Sequence, residues 1–225
     1  MKILITGAEG FIGLALVNNL VTESNQKDEI ICMIRSKESS LLPESSKIKI
    51  VSHDLQNPNL PKLPKGIDTI IHLAAISKTF LSSSEGREQT RVNILTTSNV
   101  LKIAEETQAK KLIFASSVYV YSGIKAESFS ENMHLNPLEP LGISKHTCEM
   151  MMKTHAKSSN LTILALRLFT VFGPGSKVTQ FIPEAIKKFK HPEKQALFGN
   201  SSVKRDFIYI TDVVRAFKLA ITSNT

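Results

Sequence analysis

Short apolar runs alternate with longer stretches of helical periodicity along most of the chain. Helical periodicity covers residues 11–21, 87–108 and 141–157, and loops rich in proline separate some of these stretches. Six apolar runs have the length and the β-branched content of buried strands: 2–6, 29–34, 47–51, 68–73, 111–115 and 161–166. Such an alternation predicts an α/β fold with a parallel sheet and right-handed helical crossovers.

The turn between the first strand and the first helix contains three glycines at the spacing GxxGxxG. Gly7 lets the chain turn sharply, Gly10 lets the backbone approach a pyrophosphate, and Gly13 lets the helix pack closely on the sheet. The helix N-terminus adds free N–H groups and a positive dipole end. In this strand–turn–helix context the glycines predict a dinucleotide site, and an ordinary strand-to-helix turn is the alternative.

Composition and charge narrow the class of protein. The 225 residues, 42% hydrophobic and 21% charged, fit one globular core with or without an appended lobe. No stretch of the sequence is long and apolar enough to span a membrane, and no secretory signal precedes the first strand. The net charge of +8 suits an anionic ligand, but the basic residues are too scattered for nucleic acid. Cys32 and Cys148 predict reduced thiols in a cytoplasmic protein, and no cluster has metal-ligand spacing.

The motifs of this chain resemble those of the extended short-chain dehydrogenase/reductases, in the NAD-dependent epimerase/dehydratase family that acts on nucleotide sugars. The resemblance covers nearly the whole chain and rests on blocks that follow the family's order: TGAEGFIG, HDL, IIHLAA, RVNILTTSNVL, FASSVYVY, LGISKHTCE, LRLFTVFGPG and RDFIYITDVVRA. It implies a Rossmann-type doubly wound parallel sheet in residues 1–172. Residues 173–225 would form a small partial substrate lobe, interleaved with the sheet domain and apparently truncated.

The same resemblance implies a set of cofactor-binding residues. They comprise the glycine loop, the acidic motif on the adenine side, the strand that passes under the cofactor, a structural asparagine and a lysine: Gly7, Gly10, Phe11, Ile12, Gly13, Asp54, Leu55, Leu73, Ala74, Ala75, Asn93 and Lys145.

The residue after the second strand indicates which dinucleotide is bound. An acid there usually bonds the ribose 2′-hydroxyl of NAD, whereas an arginine favours the 2′-phosphate of NADP. Here Arg35 is followed by Ser36, and no acid occurs between Glu29 and Glu38. We therefore expect NADP to be favoured over NAD; the alternative is that Arg35 is solvated and NAD binds.

The catalytic motif departs from the family pattern. The family combines a Ser or Thr with a Tyr that lies four residues before a Lys on one helix face, and the phenol moves the proton during hydride transfer. Ser117 and Lys145 match this pattern, but Leu141 stands at the tyrosine position and cannot exchange a proton. Tyr121 also precedes a lysine, Lys125, by four residues, but the glycine between them predicts a loop.

Tyr119 is the candidate replacement for the missing tyrosine. It follows Ser117 by two residues, so a continued strand alternation would point both side chains the same way. The charge of Lys145 would then lower the pKa of the phenol. The alternative is that Tyr119 only packs under the cofactor loop.

The sequence also suggests roles for an arginine and two histidines. Arg205 matches a family arginine that contacts the substrate diphosphate, although a surface cation is an equal alternative. His53 and His72 lie at strand ends, and we interpret them as structural histidines with satisfied hydrogen bonds rather than as ligands.

Two functions remain open at this point. The first is an NAD(P)-dependent nucleotide-sugar epimerase or reductase that transfers hydride at a sugar carbon, with a homodimer possible. The second is a catalytically impaired dinucleotide-binding sensor or scaffold, which Leu141 and the short C-terminal region favour. Dehydration ranks low, because Val118 and Tyr119 stand where dehydratases carry Asp-Glu.

Overall fold

The computed structural model describes residues 1–23, 25–36, 41–79, 81–177, 180–190 and 204–223. Its main sheet has six strands: β1 (Lys2–Thr6), β2 (Glu29–Ile34), β3 (Ile48–Ser52), β4 (Thr69–His72), β5 (Lys111–Ser117) and β6 (Thr162–Leu168). They are ordered β3-β2-β1-β4-β5-β6, and every pairing is parallel. This is the order of a doubly wound Rossmann sheet, whose direction of winding reverses between β1 and β4. The predicted fold class is confirmed.

Helices cover both faces of this sheet. Helices α1 (Phe11–Glu23) and α5 (Ile210–Thr222) cover one face, and α2 (Ser83–Thr107) and α3 (Pro140–Ala156) cover the other. Helix α4 (Phe181–Phe189) has no buried residue and belongs to neither face, and a 3-10 helix spans Val118–Tyr121. A second, two-stranded parallel sheet pairs β7 (Thr170–Phe172) with β8 (Phe207–Tyr209). None of the helices in the described ranges is long and apolar enough to cross a membrane.

Two hydrophobic clusters bury the two faces of the main sheet. On one face, Leu16 and Val17 of α1 pack with Val213 and Phe217 of α5 against the strands. On the other face, the clustered residues come from α2 and α3 together with the opposite sides of the strands. The four inner strands, β2, β1, β4 and β5, are buried on both sides, so their sequences are nearly continuous apolar runs. The edge strands β3 and β6 are only partly buried and include polar residues.

The structure shifts the predicted element ends for identifiable reasons. Strands β5 and β6 run two residues further than their apolar runs, because Ser116 and Ser117 continue the ladder opposite Arg167 and Leu168. Helix α2 begins four residues earlier than its periodicity predicts. Ser82 and Glu85 form a capping box there, which satisfies two N–H groups of the first turn.

The C-terminal region is divided between the two sheets. Helix α5 packs against α1 and the main sheet, whereas β7 and β8 form the small sheet. Part of the predicted lobe at 173–225 lies outside the described residues, and the domain boundary itself stays a prediction. Asp212 lies in the first turn of α5, where a negative charge interacts favourably with the helix dipole.

His72 is a fully partnered core histidine, as expected from the sequence. Its Nδ1 lies 2.8 Å from Thr6 Oγ1 and its Nε2 lies 3.2 Å from Thr97 Oγ1. The ring stacks on Phe114 at a centroid distance of 5.6 Å. Burial, with a smaller contribution from the charge of Lys145, lowers the pKa of His72 from 6.5 to about 3.

This lowered pKa predicts a loss of stability in mild acid. Between pH 7 and pH 5 the unfolded chain binds a proton at His72 that the folded chain does not, so acid favours unfolding by about 2 kcal/mol. Urea titrations of His72→Gln at both pH values should show a pH dependence reduced by that amount. His134→Gln, at an exposed histidine, is the control and should behave like the unmodified chain. An unchanged pH dependence in His72→Gln would contradict the assignment.

Candidate functional site

The glycine loop between β1 and α1 is closely packed at two of its three glycines. Gly7 has a φ of 69°, and a Cβ there would lie 2.7 Å from the backbone nitrogen of Ala74. A Cβ at Gly13 would lie 2.3 Å from the carbonyl oxygen of Gly7. Gly13 is therefore required by its own loop rather than by the sheet, which corrects the sequence interpretation. A Cβ at Gly10 would meet only the Gly7 oxygen, at 3.2 Å, which leaves this part of the loop open to a ligand.

A cleft of about 380 Å³ lies over the carboxyl ends of β1 to β4. In an open α/β sheet, ligands bind at this edge where the strand order reverses. Eight of the predicted cofactor residues line the cleft: Gly7, Gly10, Arg35, Asp54, Leu55, Leu73, Ala74 and Ala75. The other five do not: Phe11, Ile12, Gly13, Asn93 and Lys145.

The strand register brings Arg35 and His53 side by side at this edge. Ile34 pairs with Ser52 in the parallel ladder, and the next backbone N–H, from His53, donates to the Ile34 carbonyl at 2.8 Å. Ser52 Oγ donates to the Arg35 carbonyl at 3.1 Å. Both Arg35 and His53 line the cleft, and the Arg35 side chain is exposed.

The interpretation of His53 as a satisfied structural histidine is wrong. Its Nε2 is buried and has no hydrogen-bond partner in the part of the chain that the structure describes. The sequence interpretation missed it because a strand-end histidine usually finds a partner, and only the register shows that Arg35 is its neighbour. Glu9 and Thr96 are two further cleft residues that the motif did not indicate.

Two carboxylates line the cleft, and each is already engaged by a backbone N–H. Asp54 Oδ1 accepts from the Gln56 N–H at 2.9 Å, which closes the turn after β3. Glu9 Oε1 accepts from the Leu41 N–H at 3.2 Å. These hydrogen bonds hold the two carboxylates, and therefore their negative charges, in place in the cleft wall.

Asn93 forms hydrogen bonds with the loop after β4, and Ile76 of this loop lines the cleft. Its Oδ1 accepts from the Ile76 N–H at 2.8 Å, and its Nδ2 donates to the Ile76 carbonyl and to Ser144 Oγ, both at 3.0 Å. The side chain thus holds the loop after β4 against α2 and α3. Asn93 thus has the structural position that the family motif implies, and its place in the cofactor set stays a prediction.

Helix α3 presents Leu141 and Lys145 one turn apart, and both side chains are buried. Lys145 Nζ donates to the carbonyl oxygen of Ala115 in β5 at 2.6 Å and lies 4.5 Å from the ring centroid of Phe114. Burial lowers the pKa of Lys145 to about 8, so the ammonium is mostly charged at pH 7. Leucine brings no proton donor or acceptor to this helix face.

The structure corrects the orientation argument for Tyr119. Strand β5 ends at Ser117, whose Oγ accepts the Tyr119 N–H at 3.3 Å and caps the 3-10 helix. The strand alternation therefore stops before Tyr119. The Tyr119 backbone packs instead on Gly142, where a Cβ would lie 2.2 Å from the Tyr119 carbonyl oxygen. The acid/base role of Tyr119 stays a prediction.

Tyr121 belongs to a separate polar cluster, and its pairing with Lys125 is a coincidence of spacing. The 3-10 helix ends at Tyr121, so no helix carries both residues. The Tyr121 hydroxyl donates to the Ser130 carbonyl at 3.2 Å and accepts from Arg167 Nη1 at 2.6 Å. Arg167 also forms a salt bridge with Glu149 at 2.7 Å.

Residues 3–225 match the family model described as "NAD dependent epimerase/dehydratase family". The chain belongs to this family. The uncharacterized UDP-glucose epimerase YtcB of Bacillus subtilis is 34% identical over 227 residues, covering 96% of this chain and 71% of that protein. Human dTDP-D-glucose 4,6-dehydratase is 27% identical over 224 residues, covering 96% of this chain and 64% of that protein.

Solved structures of epimerase/dehydratase proteins superpose closely on this chain. The UDP-N-acetylglucosamine 4-epimerase of Methanobrevibacter ruminantium, in complex with UDP-N-acetylmuramic acid, gives a TM-score of 0.88 at 27% identity and covers 100% of this chain and 74% of its own. MoeE5, in complex with UDP-glucuronic acid and NAD, gives 0.87 at 31% identity and covers 100% and 73%. The chain thus spans roughly two thirds to three quarters of the length of these relatives.

One other predicted site residue, Arg205, lies outside the cleft of this family member. Arg205 is exposed and lies just before β8, and its contact with a substrate diphosphate stays a prediction. Within the described ranges, no group of three or more His, Cys, Asp or Glu residues could hold a metal ion.

Proposed function

We propose that this chain binds NADP in the cleft and acts on a nucleotide sugar by hydride transfer at a sugar carbon. The observation that carries the proposal is the glycine loop, which opens at Gly10 onto a cleft at the β1/β4 reversal of the sheet. Neighbours solved in complex with NAD and UDP-sugars support a dinucleotide cofactor and a nucleotide-sugar substrate. The failure of both NAD and NADP to bind in calorimetric titrations would refute it.

The residues of the cleft fit a dinucleotide. Gly10 and the N-terminus of α1 would hold the pyrophosphate, since free N–H groups and the helix dipole favour an anion there. Asp54 and Leu55 would contact the adenine side. Lys145 lies outside the cleft lining, and it would donate to the nicotinamide ribose if its side chain left the Ala115 carbonyl. The bound dinucleotide would supply hydride acceptance and return.

Arg35 is the basis for placing NADP ahead of NAD. It is an exposed cation at the end of β2, and it lines the cleft where the adenosine ribose binds in this fold. A guanidinium can form two charged hydrogen bonds with a phosphate, whereas a ribose hydroxyl offers a single weaker partner.

We expect NADP to bind more tightly than NAD, and Arg35→Asp to reverse the order. Loss of charged hydrogen bonds to the phosphate should weaken NADP binding by about 10- to 100-fold. Titration calorimetry with both dinucleotides measures this change. Arg87→Asp, an equal charge change at an exposed position of α2 outside the cleft, should leave the preference unaltered. Equal affinities or an NAD preference in the unmodified protein would contradict the expectation.

A second candidate function is a dinucleotide-binding sensor or scaffold without sugar chemistry. The observation that favours it is Leu141, which is buried on the helix face where the family places its proton-transferring tyrosine. Both candidates require dinucleotide binding, and only the first requires conversion of a nucleotide sugar. Assays of UDP-sugars and other nucleotide sugars with the dinucleotide-loaded protein separate them. The expected homodimer and cytoplasmic location stay predictions.

A further inference from the structure

One residue of the cleft wall has a buried polar atom without a hydrogen-bond partner. The described residues include five buried side-chain nitrogen or oxygen atoms without a hydrogen-bond partner, in Asn19, His53, Gln89, His146 and Gln180. Of these five residues, His53 is the one that lines the cleft. A buried imidazole nitrogen without a partner has lost its hydrogen bond to water and gained none in return. A ligand reaches this nitrogen when the imidazole ring turns toward the cleft, and the hydrogen bond formed there would favour that turn.

The position of His53 specifies where such a ligand group would lie. His53 and Arg35 follow directly on the paired residues Ser52 and Ile34, so they occupy adjacent strand ends. Arg35 brings a guanidinium and His53 brings a ring N–H donor when Nε2 carries the hydrogen. The two carboxylates in the cleft wall, those of Glu9 and Asp54, each accept a backbone N–H. The ends of β2 and β3 therefore offer two neighbouring donors to one anion.

We infer that His53 Nε2 and the Arg35 guanidinium together bind the phosphate on the 2′ carbon of the cofactor's adenosine ribose. The inference rests on the proposed NADP site and adds a second specificity-determining residue to it. A phosphate offers three negatively charged acceptor oxygens to these two donors, whereas a ribose hydroxyl offers one neutral oxygen, whose hydrogen bonds to them are weaker. The His53 contact therefore separates NADP from NAD.

The test compares NADP with NAD, and adenosine 2′,5′-bisphosphate with AMP, by titration calorimetry on the full chain. In His53→Phe, which keeps a ring but loses both nitrogens, the preference for the 2′-phosphorylated ligand should fall about tenfold while NAD and AMP affinities stay the same. His53→Gln should keep most of the preference, because its amide can place an N–H near the position of Nε2. His134→Phe, at an exposed histidine outside the cleft, should bind like the unmodified chain.

A measurement on the unmodified protein covers the case in which the variants do not fold. The imidazole nitrogen resonance of His53 should shift with adenosine 2′,5′-bisphosphate and stay in place with AMP. A shift that is the same for both ligands would overturn the inference. So would an unchanged preference in His53→Phe, or an equal loss of affinity for NADP and NAD.

These outcomes separate the inference from the proposed function. If the unmodified chain prefers NADP but His53→Phe retains the full preference, the His53 contact is refuted and the NADP site stands. If the unmodified chain prefers NAD, the NADP site is refuted and the His53 contact with it.

Discussion

Replacing Leu141 with tyrosine is expected to raise nucleotide-sugar turnover by about 10²–10⁴-fold, the usual contribution of a positioned acid/base. Leu141 and Lys145 lie one turn apart on α3, so a phenol at 141 would lie beside the Lys145 ammonium. The positive charge would lower the pKa of that phenol and favour proton transfer near neutral pH. Interconversion of UDP-glucose and UDP-galactose, with a panel of other nucleotide sugars, measures the change.

The matched control for this gain is Leu141→Phe. The site is buried, so either aromatic ring adds volume and should cost about 1–3 kcal/mol of stability. Only the tyrosine adds a hydroxyl, so only the tyrosine should raise turnover. Adding Lys145→Met to Leu141→Tyr should abolish the gain. No gain on any substrate would show that the missing tyrosine is not what limits sugar chemistry, and would favour the sensor or scaffold function.

Gly7→Ala should destabilise the fold far more than Gly66→Ala, although both glycines have nearly the same backbone conformation. Their φ angles are 69° and 72°, so each alanine carries the left-handed penalty of about 1–2 kcal/mol. At Gly66 a Cβ meets nothing within 4 Å, whereas at Gly7 it would lie within 2.9 Å of the backbone of Leu73 and Ala74. The added overlap should raise the total cost of Gly7→Ala to about 2–5 kcal/mol.

Urea unfolding of the two variants measures this difference directly. Dinucleotide titration adds a second comparison, because relief of the overlap at Gly7 must move either the glycine loop or the loop after β4, and both line the cleft. Gly7→Ala should therefore weaken NADP binding, while Gly66→Ala should leave it unchanged. Equal stability losses in the two variants would mean that the close approach of Gly7 to Ala74 is not a constraint in solution.

The sequence determined the six strands of the main sheet, the helices α1, α2 and α3, and the location of the cleft. Each strand of the main sheet is within two residues of its predicted end. The inner strands are the easiest to locate, because a strand buried on both faces is an uninterrupted apolar run. The glycines after β1 place the phosphate loop because that turn needs residues without a Cβ. These features depend on neighbours in the chain, so local pattern is enough to predict them.

The tertiary structure decided how residues from different elements share the site. Only the register of β2 and β3 sets His53 beside Arg35, and only the packing of α3 on β5 ties Lys145 to the Ala115 carbonyl. Likewise, Tyr119 leaves the strand alternation because Ser117 caps a 3-10 helix whose backbone packs on Gly142. Contacts of this kind form between segments far apart in the chain, so their geometry is set by packing and hydrogen bonding across the sheet rather than by local periodicity.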